Sequence, residues 1–317
     1  MKQTIIISFL ILLPYLCGCG GDFDIDGPAA GELCLICYPG PRDTTIIQLY
    51  QTVPVGGRYE GSPYLQSADI TFSVDGTPQK VEQAAEKVGS VPKGCWFVPG
   101  RLDSGEAVEV SASVESAATV RASTTVPPEP PAFDYYIDFG LWTDLYIAFD
   151  DNPLTEDYYG IAIFCERTLQ NASGKVVMTK HLSLYSEGDG AQGIAVIRDY
   201  VDAGFTGWSL WPKRTEIYGV RIWPDSKFTR TRVTLKARFG SAYFSSAIDG
   251  ESIRYKVRLY RFSEEFYRYL VSLDYQELND YATYGIIPMK LSFTNVTGGC
   301  GILAGWSMRE SEWFEMD

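Results

Sequence analysis

Strict alternation of apolar and polar residues runs through three short segments in the first half of the chain. Ile70, Phe72 and Val74 alternate with polar neighbours, and residues 108–115 and 120–124 repeat the pattern. Because successive side chains of a β-strand point to opposite faces of its sheet, each segment predicts a half-buried strand. Asp75-Gly76, directly after the first segment, predicts a tight hairpin turn.

Two apolar runs, 33–37 and 46–49, precede these segments. Short strands separated by turn residues are typical of two sheets packed face to face. Aromatic residues make up 14% of the chain, and they favour the pleated surface of a sheet. We therefore expect a mainly β fold in which residues 33–126 form an immunoglobulin-like β-sandwich.

A proline-rich segment, residues 127–132, follows the predicted sandwich. Proline cannot donate a ladder hydrogen bond and it stiffens the chain, so the segment is predicted to link two domains. Residues 133–317 are expected to form a larger, antiparallel, β-rich domain with strands at 145–149, 159–165, 176–178, 217–222, 233–239 and 253–259. Asp249-Gly250 lies between the last two strands and predicts that they pair as a hairpin.

One α-helix is predicted, at about residues 264–278. Ser263 has the side chain of an N-cap, and acidic residues follow it in the first turn. Phe266, Leu270 and Leu273 then recur at helical spacing. We expect the helix to pack this apolar stripe on the sheet of the second domain.

The N-terminus has the order of a secretory leader, with Lys2 followed by an almost wholly apolar run over residues 5–16. A helix of this length reaches roughly 18 Å, short of the roughly 30 Å hydrocarbon core, so no permanent span is expected. Leu16-Cys17-Gly18-Cys19 resembles the bacterial lipobox, whose cysteine is acylated and becomes the new N-terminus. We predict a lipoprotein signal peptide at 1–18 and a lipid anchor on Cys19. The alternative is an ordinary cleaved leader with Cys19 in a disulfide.

Residues 19–32 are predicted to form an acidic tether. Asp22-Phe-Asp-Ile-Asp-Gly27 matches the opening of an EF-hand loop, but the twelfth position holds Leu33 where a bidentate Glu is required. A calcium loop is therefore not expected. The acidic stretch after the lipidated cysteine resembles an export signal to the outer leaflet, and a plain solvated spacer is the alternative.

The cysteine and histidine content limits the chemistry available. The chain has a single histidine, His181, which is predicted on a surface strand, so a site that needs several imidazoles cannot form within one copy. Excluding the leader and the anchor, the cysteines are odd in number: Cys34, Cys37, Cys95, Cys165 and Cys300. Cys34-x-x-Cys37 suggests a redox or zinc motif, but residues three apart on a strand lie roughly 10 Å apart, so buried strand cysteines are predicted. The pairing, if any, stays open.

Charge is unevenly distributed along the chain. The net charge is −13, which disfavours nucleic-acid binding, yet 13 of the 27 Lys and Arg lie between residues 213 and 268. On the predicted hairpin, one polar face would carry Lys236, Arg238, Arg254, Lys256 and Arg258. Such a face could bind an anionic partner or a glycan. The alternatives are a solvated face and charges paired with acids of other strands.

Two further sets of residues suggest chemistry. Trp208, Trp211 and Trp223 could form a stacking platform for sugar rings, and core packing is the alternative. Asp150-Asp151 and Glu156-Asp157 could supply the carboxylate pair of a glycosidase, but they flank Asn152-Pro153 and are interpreted first as a solvated turn. No nucleophile elbow and no phosphate-binding loop is present in the sequence. We predict no catalytic residue, no metal and no cofactor.

Taken in order, several segments resemble a family of Bacteroidota-type outer-membrane lipoproteins catalogued as domain of unknown function 4249. Cys300 and Leu303 stand where larger residues are expected in that family, and the acidic spacer is particular to this chain. Asn295, Gly298, Gly299 and Gly301 are expected to be structural, because glycines permit positive φ and close backbone approach. The segments that carry the resemblance are the lipobox, 33–37, 67–72, 124–127, 149–153, 158–159, the predicted helix and 294–302.

The resemblance implies a lipid-anchored envelope protein, often encoded near TonB-dependent transporters, and it implies no activity. Our leading hypothesis is a non-catalytic binding or accessory protein at the outer membrane, on its surface or its periplasmic face. The expected partner is an outer-membrane transporter or another envelope protein. The alternatives are a glycan-binding surface lipoprotein and a carboxylate-dependent hydrolase.

Overall fold

The structure of the chain is a computed structural model. The structure describes residues 31–52, 64–65, 67–115, 117–139, 143–171, 174–181, 194–197, 220–227, 232–239, 251–276 and 291–315. As predicted, the described chain is mainly β, with several antiparallel sheets and one α-helix.

The first part of the chain forms a β-sandwich of two sheets. Sheet A has the strand order β17-β1-β2-β6-β5, and sheet B has the order β4-β3-β7-β8. The strands are β1 (Leu33–Cys37), β2 (Thr44–Gln51), β3 (Asp69–Val74), β4 (Thr77–Gln79), β5 (Glu82–Gln83), β6 (Trp96–Pro99), β7 (Ala107–Ser113), β8 (Val120–Thr125) and β17 (Cys300–Leu303).

The alternating segments bury one side of each strand, as the sequence predicts. Phe72, Val108 and Val120 of sheet B pack against Leu35 and Ile47 of sheet A in one hydrophobic core. The turn between β3 and β4 is the predicted one, with positive φ at Asp75 (48°) and Gly76 (75°). This geometry matches the right-handed twist of the paired strands.

The strand that completes sheet A comes from the far end of the chain. β17 pairs with β1 in parallel, and it lies at the edge of the sheet. Asn295 ties the segment before β17 to the end of that strand, because its side-chain amide both donates to and accepts from the backbone of Leu303. Gly301 has a φ of +108°, and a Cβ there would collide with the carbonyl of Leu35. Asn295 and this glycine therefore have the structural roles expected for them.

The second part of the chain adds two more sheets. Sheet C has the order β15-β10-β9, and sheet D has the order β13-β14-β11-β16-β18 with β12 also paired to β11. The strands are β9 (Phe133–Phe139), β10 (Thr143–Asp150), β11 (Tyr158–Asn171), β12 (Gly174–His181), β13 (Ile194–Ile197), β14 (Val220–Pro224), β15 (Arg232–Phe239), β16 (Glu251–Phe262) and β18 (Trp306–Glu310), and a 3-10 helix spans Asp225–Lys227.

The predicted hairpin between residues 233–239 and 253–259 is wrong. β15 pairs with β10 in sheet C, whereas β16 lies between β11 and β18 in sheet D. The two sheets face each other across a core that includes Ile147, Ile161 and Val257. The chain between β15 and β16 therefore crosses from one sheet to the other. A turn signal in the sequence indicates a reversal of direction but does not identify the strand that is paired afterwards.

The predicted α-helix is confirmed as α1 (Glu264–Gln276). The hydroxyl of Ser263 accepts a hydrogen bond from the backbone N–H of Phe266 at 3.3 Å, as expected of an N-cap. Phe266 and Leu270 are buried in a core that also contains residues of sheet D. Sheet A contributes to the same core through Ile36 of β1, and Tyr38, directly after β1, stacks on Phe266 with ring centroids 4.9 Å apart. The helix thus packs on both parts of the chain.

The proline-rich segment is attached to the second part of the chain. The hydroxyl of Ser307 donates to the carbonyl of Pro128 at 2.7 Å, and Arg309 forms an ion pair with Glu129 at 2.8 Å. The side chains of Ser307 and Arg309, both on β18, therefore hold the proline-rich segment in place. Among the described residues, no helix has the length and apolar character needed to cross a bilayer.

Candidate functional site

The five basic residues predicted to share one face lie on two different sheets. Lys236 and Arg238 belong to β15 in sheet C, whereas Arg254, Lys256 and Arg258 belong to β16 in sheet D. The single basic face is therefore a wrong prediction, for the same reason as the hairpin that would have formed it. The side chains of Lys236 and Arg238 lie outside the described residues.

The three basic side chains of β16 that belong to the predicted face are paired with acids on the neighbouring strands. Arg254 contacts Glu166 of β11 at 2.7 Å. Lys256 and Arg258 both contact Glu310 of β18, at 2.9 Å and 2.7 Å. We call these five side chains the ionic ladder. They confirm the alternative stated above for this strand, in which the basic charges are compensated by acids across the sheet.

Aromatic rings cover the cations of the ionic ladder. Arg254 and Lys256 lie over the ring of Trp313, at 4.8 Å and 4.9 Å from its centroid, and Arg258 lies over Phe164 at 4.4 Å. Burial alone would raise the pKa of Glu310, but the hydrogen bond from Lys256 and the charge of Arg258 bring that pKa below its usual value. Each cation of the ladder is thus already bound by this chain's own groups.

The predicted tryptophan platform is not present as proposed. Trp223 lies on β14 with 3% of its surface exposed, inside the core between sheets C and D. A buried ring cannot stack on a sugar, so this part of the prediction is wrong and the core alternative is correct. Trp208 and Trp211 lie outside the described residues, as does Cys19. Cys165 and His181 lie on β11 and β12, with their side chains outside that set.

A buried group of carboxylates is the most distinctive polar site of the described chain. Asp151 and Asp157 are each 7% exposed, and Asp225 is half-buried. Ligand oxygens of all three lie within 4.8 Å of one another. We call these three residues the acidic cluster. The predicted solvated turn is present, because residues 152–156 are exposed, but Asp151 and Asp157 on either side of it are buried.

Several donors of the chain bind the acidic cluster. The hydroxyl of Tyr159 lies 2.6 Å from an oxygen of Asp151 and 3.4 Å from one of Asp157. Arg261 donates to Asp157 at 2.9 Å, and the backbone N–H of Asp157 donates to Asp225 at 2.8 Å. The cluster thereby ties the loop after β10 to the ends of β11, β14 and β16.

Burial and neighbouring negative charges raise the pKa values of two groups at this site, Asp225 and Tyr159. Desolvation raises the pKa of Asp225, and the neighbouring carboxylates Asp151 and Asp157 add to the shift, against the lowering effect of the backbone hydrogen bond. The pKa of Tyr159 is also raised, first by burial and then by its hydrogen bond to Asp151. The phenol therefore stays protonated and acts as a hydrogen-bond donor at neutral pH.

The chemistry of the acidic cluster follows from its donors and its burial. Three carboxylates at this spacing are oxygen ligands of the type that Ca²⁺ or Mg²⁺ accepts. Asp157 already binds Arg261 and Tyr159, so part of its ligand capacity is used within the chain. A glycosidase pair needs access to substrate from a cleft, whereas Asp151 and Asp157 are buried. The arrangement is that of a structural polar network.

No pattern in the sequence links Arg261, Asp225 and Tyr159 to one site. The backbone pairing explains why, because Tyr159 lies opposite both Arg261 of β16 and Trp223 of β14. Asp225 then follows directly after β14. The acidic pattern in the sequence is limited to residues 149–159. It does not include β14, which Asp225 follows, or β16, which carries Arg261.

Comparison with known proteins identifies the family. No curated protein matches the sequence. A family profile described as Domain of unknown function (DUF4249) matches residues 22–312. The match spans every strand of the two sandwiches, α1 and both clusters of charged residues described above. The chain therefore belongs to the DUF4249 family, as its motifs had suggested.

Proposed function

We propose that this chain is a non-catalytic, lipid-anchored protein of the outer membrane that binds or supports an envelope partner. The observation that carries the proposal is Leu16-Cys17-Gly18-Cys19 after an apolar run, the pattern of a lipobox. A diacylated and N-acylated cysteine has enough buried methylene groups, at about 0.8 kcal/mol each, for an effectively permanent anchor.

The distance between the anchor and the folded part supports this arrangement. β1 begins at Leu33, fourteen residues after Cys19. A segment of that length spans at most about 50 Å when extended. The acidic residues in it would be repelled by an anionic membrane surface, which favours an extended tether. The sandwiches would then face a partner in the adjacent envelope space.

The polar sites of the described chain support a binding role over a catalytic one. The acidic cluster is buried and bound by Tyr159 and Arg261, and the cations of the ionic ladder are paired with Glu166 and Glu310. Neither arrangement leaves a reactive group facing a substrate. The resemblance of the motifs favours a TonB-dependent transporter as the partner.

The anchor is tested by replacing the acylated cysteine. Cys19→Ala should abolish labelling by radioactive palmitate and release the mature chain from the membrane fraction. Cys17→Ala is the matched control, because it removes a neighbouring thiol and leaves the lipobox cysteine in place. Unchanged fractionation of the Cys19→Ala protein would contradict the proposal.

The binding role is tested by purification from native membranes in mild detergent. An outer-membrane protein should be recovered in stoichiometric amount with the wild-type chain and should be depleted with Cys19→Ala. A monodisperse monomer with no accompanying protein would count against a binding role.

Glycan binding is a second candidate, favoured by one observation on sheet C. Tyr136 is 59% exposed and stacks in parallel on Tyr146, with centroids 4.5 Å apart and planes 4° apart. Exposed aromatic faces can stack on the C–H faces of sugar rings. Asp134, Asp150 and Arg232 form exposed ion pairs on the same sheet and supply polar groups for sugar hydroxyls.

An array of polysaccharides tested against the wild-type protein and Tyr136→Ala decides this candidate. Binding that the substitution abolishes would support it. Binding that Tyr136→Ala leaves unchanged, or no binding to any polysaccharide, would contradict a glycan site on sheet C.

A further inference from the structure

Two cysteines far apart in the sequence lie opposite each other in sheet A. β1 and β17 are parallel neighbours, and their register places Cys34 directly against Cys300. Adjacent strands lie about 4.8 Å apart, within the Cα separation of about 4.4–6.8 Å that a disulfide requires. The backbone thus already has the spacing for a bond between the two sulfurs.

The two thiols interact with each other and remain accessible. A hydrogen bond joins the thiols of Cys34 and Cys300, and both residues are partly exposed. Cys37, on the same strand, faces the opposite side of sheet A and is fully buried in the first core. Cys95 is buried in a separate cluster beside β6. Among the described cysteines, Cys34 and Cys300 are therefore the pair suited to oxidation.

The hydrogen bond between the two thiols shifts their pKa values in opposite directions. Because Cys34 donates to Cys300, it lowers the pKa of Cys300 and favours the thiolate, whereas the pKa of Cys34 is raised by the same bond and by burial. The thiolate is the nucleophile in thiol–disulfide exchange. Cys300 is thus the sulfur that attacks first.

We propose that Cys34 and Cys300 form a disulfide that fastens the edge strand β17 to β1. The Cys300 thiolate attacks a disulfide oxidant, such as oxidised glutathione or a disulfide oxidoreductase, and one thiol of the oxidant leaves. Cys34 then loses its proton and attacks the Cys300 sulfur of the mixed disulfide, and the second thiol leaves. Two thiols of the protein are oxidised, and one disulfide of the oxidant is reduced to two thiols.

The bond would close nearly the whole folded chain into one covalent ring. β17 leads directly into β18 of sheet D, so the same bond also holds the two parts of the chain together. Formation of the disulfide in the cell rests on the proposed envelope location, where such oxidants act. The pairing itself rests on the register of β1 and β17 alone.

The experiment treats reduced, purified full-length protein with oxidised glutathione and maps the modified cysteines by mass spectrometry. The wild type should lose the thiols of Cys34 and Cys300 and retain no glutathione on either. Cys34→Ser and Cys300→Ser should each keep glutathione on the remaining thiol, because no second thiol is present to displace it. The matched control Cys37→Ser, on the same strand, should still form the Cys34–Cys300 bond. A wild type in which both thiols remain, or a different pairing, would overturn the proposal.

A second measurement separates this proposal from the envelope location. Protein alkylated directly in native cells should already contain the disulfide. If the purified protein forms the bond but the cellular protein is fully reduced, the pairing is supported and the envelope location is contradicted. If the cellular protein is lipidated and purified protein does not form the bond, the location is supported and the pairing is overturned.

Discussion

The strand pair β11–β16 carries two kinds of ion pair at its two ends. At one end the side chains of Arg261 and Asp157 are 11% and 9% exposed, beside the core between sheets C and D. At the other end Arg254 and Glu166 are 45% and 14% exposed, on the opposite face of sheet D. The same backbone register therefore positions one ion pair shielded from solvent and one in contact with it.

The difference in solvent exposure determines how much each ion pair contributes to stability. When one partner of a buried ion pair is removed, water cannot solvate the charge that remains. Breaking the pair therefore lowers the free energy of unfolding strongly. An exposed charge is solvated after its partner is lost, and the pair contributes little. The acidic cluster is thus expected to hold the second sandwich together, whereas the Arg254–Glu166 pair is expected to contribute little.

The largest effect is expected from Arg261→Met. The substitution leaves Asp157 buried without its cation and should lower the free energy of unfolding by about 3–5 kcal/mol. Arg254→Met is the matched control, with the same change on the same strand and an expected loss under about 1 kcal/mol. Chemical denaturation measures both. Equal losses for the two variants would contradict the contrast between the two ends.

Tyr159→Phe should have the next largest effect. The variant keeps the ring in the core but removes the hydroxyl that donates to the buried carboxylate of Asp151 at 2.6 Å. A hydrogen bond to a charged group contributes about 1.5–3 kcal/mol, and we expect a loss in that range by chemical denaturation. A variant as stable as the wild type would show that Asp151 does not depend on this donor.

Glu310→Gln tests the ionic ladder through pH. The pKa of Glu310 lies below its usual value of 4.5, so its ionised form stabilises the fold above that value and the contribution is lost as pH falls through the folded-state pKa. The variant should lower the free energy of unfolding by about 1 kcal/mol at neutral pH. The two proteins should converge in stability at acidic pH. A difference that stays constant with pH would contradict the assignment.

The smallest effect is expected from Arg254→Gln. The ion pair with Glu166 is exposed on the arginine side, so its loss should change the free energy of unfolding by less than about 1 kcal/mol. The difference from wild type should shrink at about 1 M salt, where the screening length is about 3 Å. Chemical denaturation at low and high salt measures the difference in the free energy of unfolding between the variant and the wild type. A difference that does not change with salt would show that the Arg254–Glu166 pair is shielded from solvent, as the Arg261–Asp157 pair is.

Local patterns in the sequence predicted the elements of this fold well. Alternation at residues 70–74, the Asp75-Gly76 turn and the Ser263 cap depend on neighbours within a few positions, and the structure confirms them. On β16, Tyr255 and Val257 are buried while Arg254 is exposed, as the alternation also predicted.

Pairings between distant segments could not be predicted in the same way. β17 is four residues long and contains Gly301, so its parallel pairing with β1 has no periodic signal. The acidic cluster requires Asp157, Asp225 and Arg261 to meet, and only the order of the strands in sheet D brings them together. The basic face was wrong for the same reason, because it depended on a pairing between β15 and β16.

We propose that acyl chains on Cys19 hold these two sandwiches at a membrane. Mass spectrometry of the N-terminal peptide tests this most directly, on the mature protein isolated from native membranes. We expect a peptide that begins at Cys19 and carries a diacylglyceryl group and an amide-linked acyl chain. An unmodified Cys19 thiol, or a mature chain that retains residues 1–18, would contradict it.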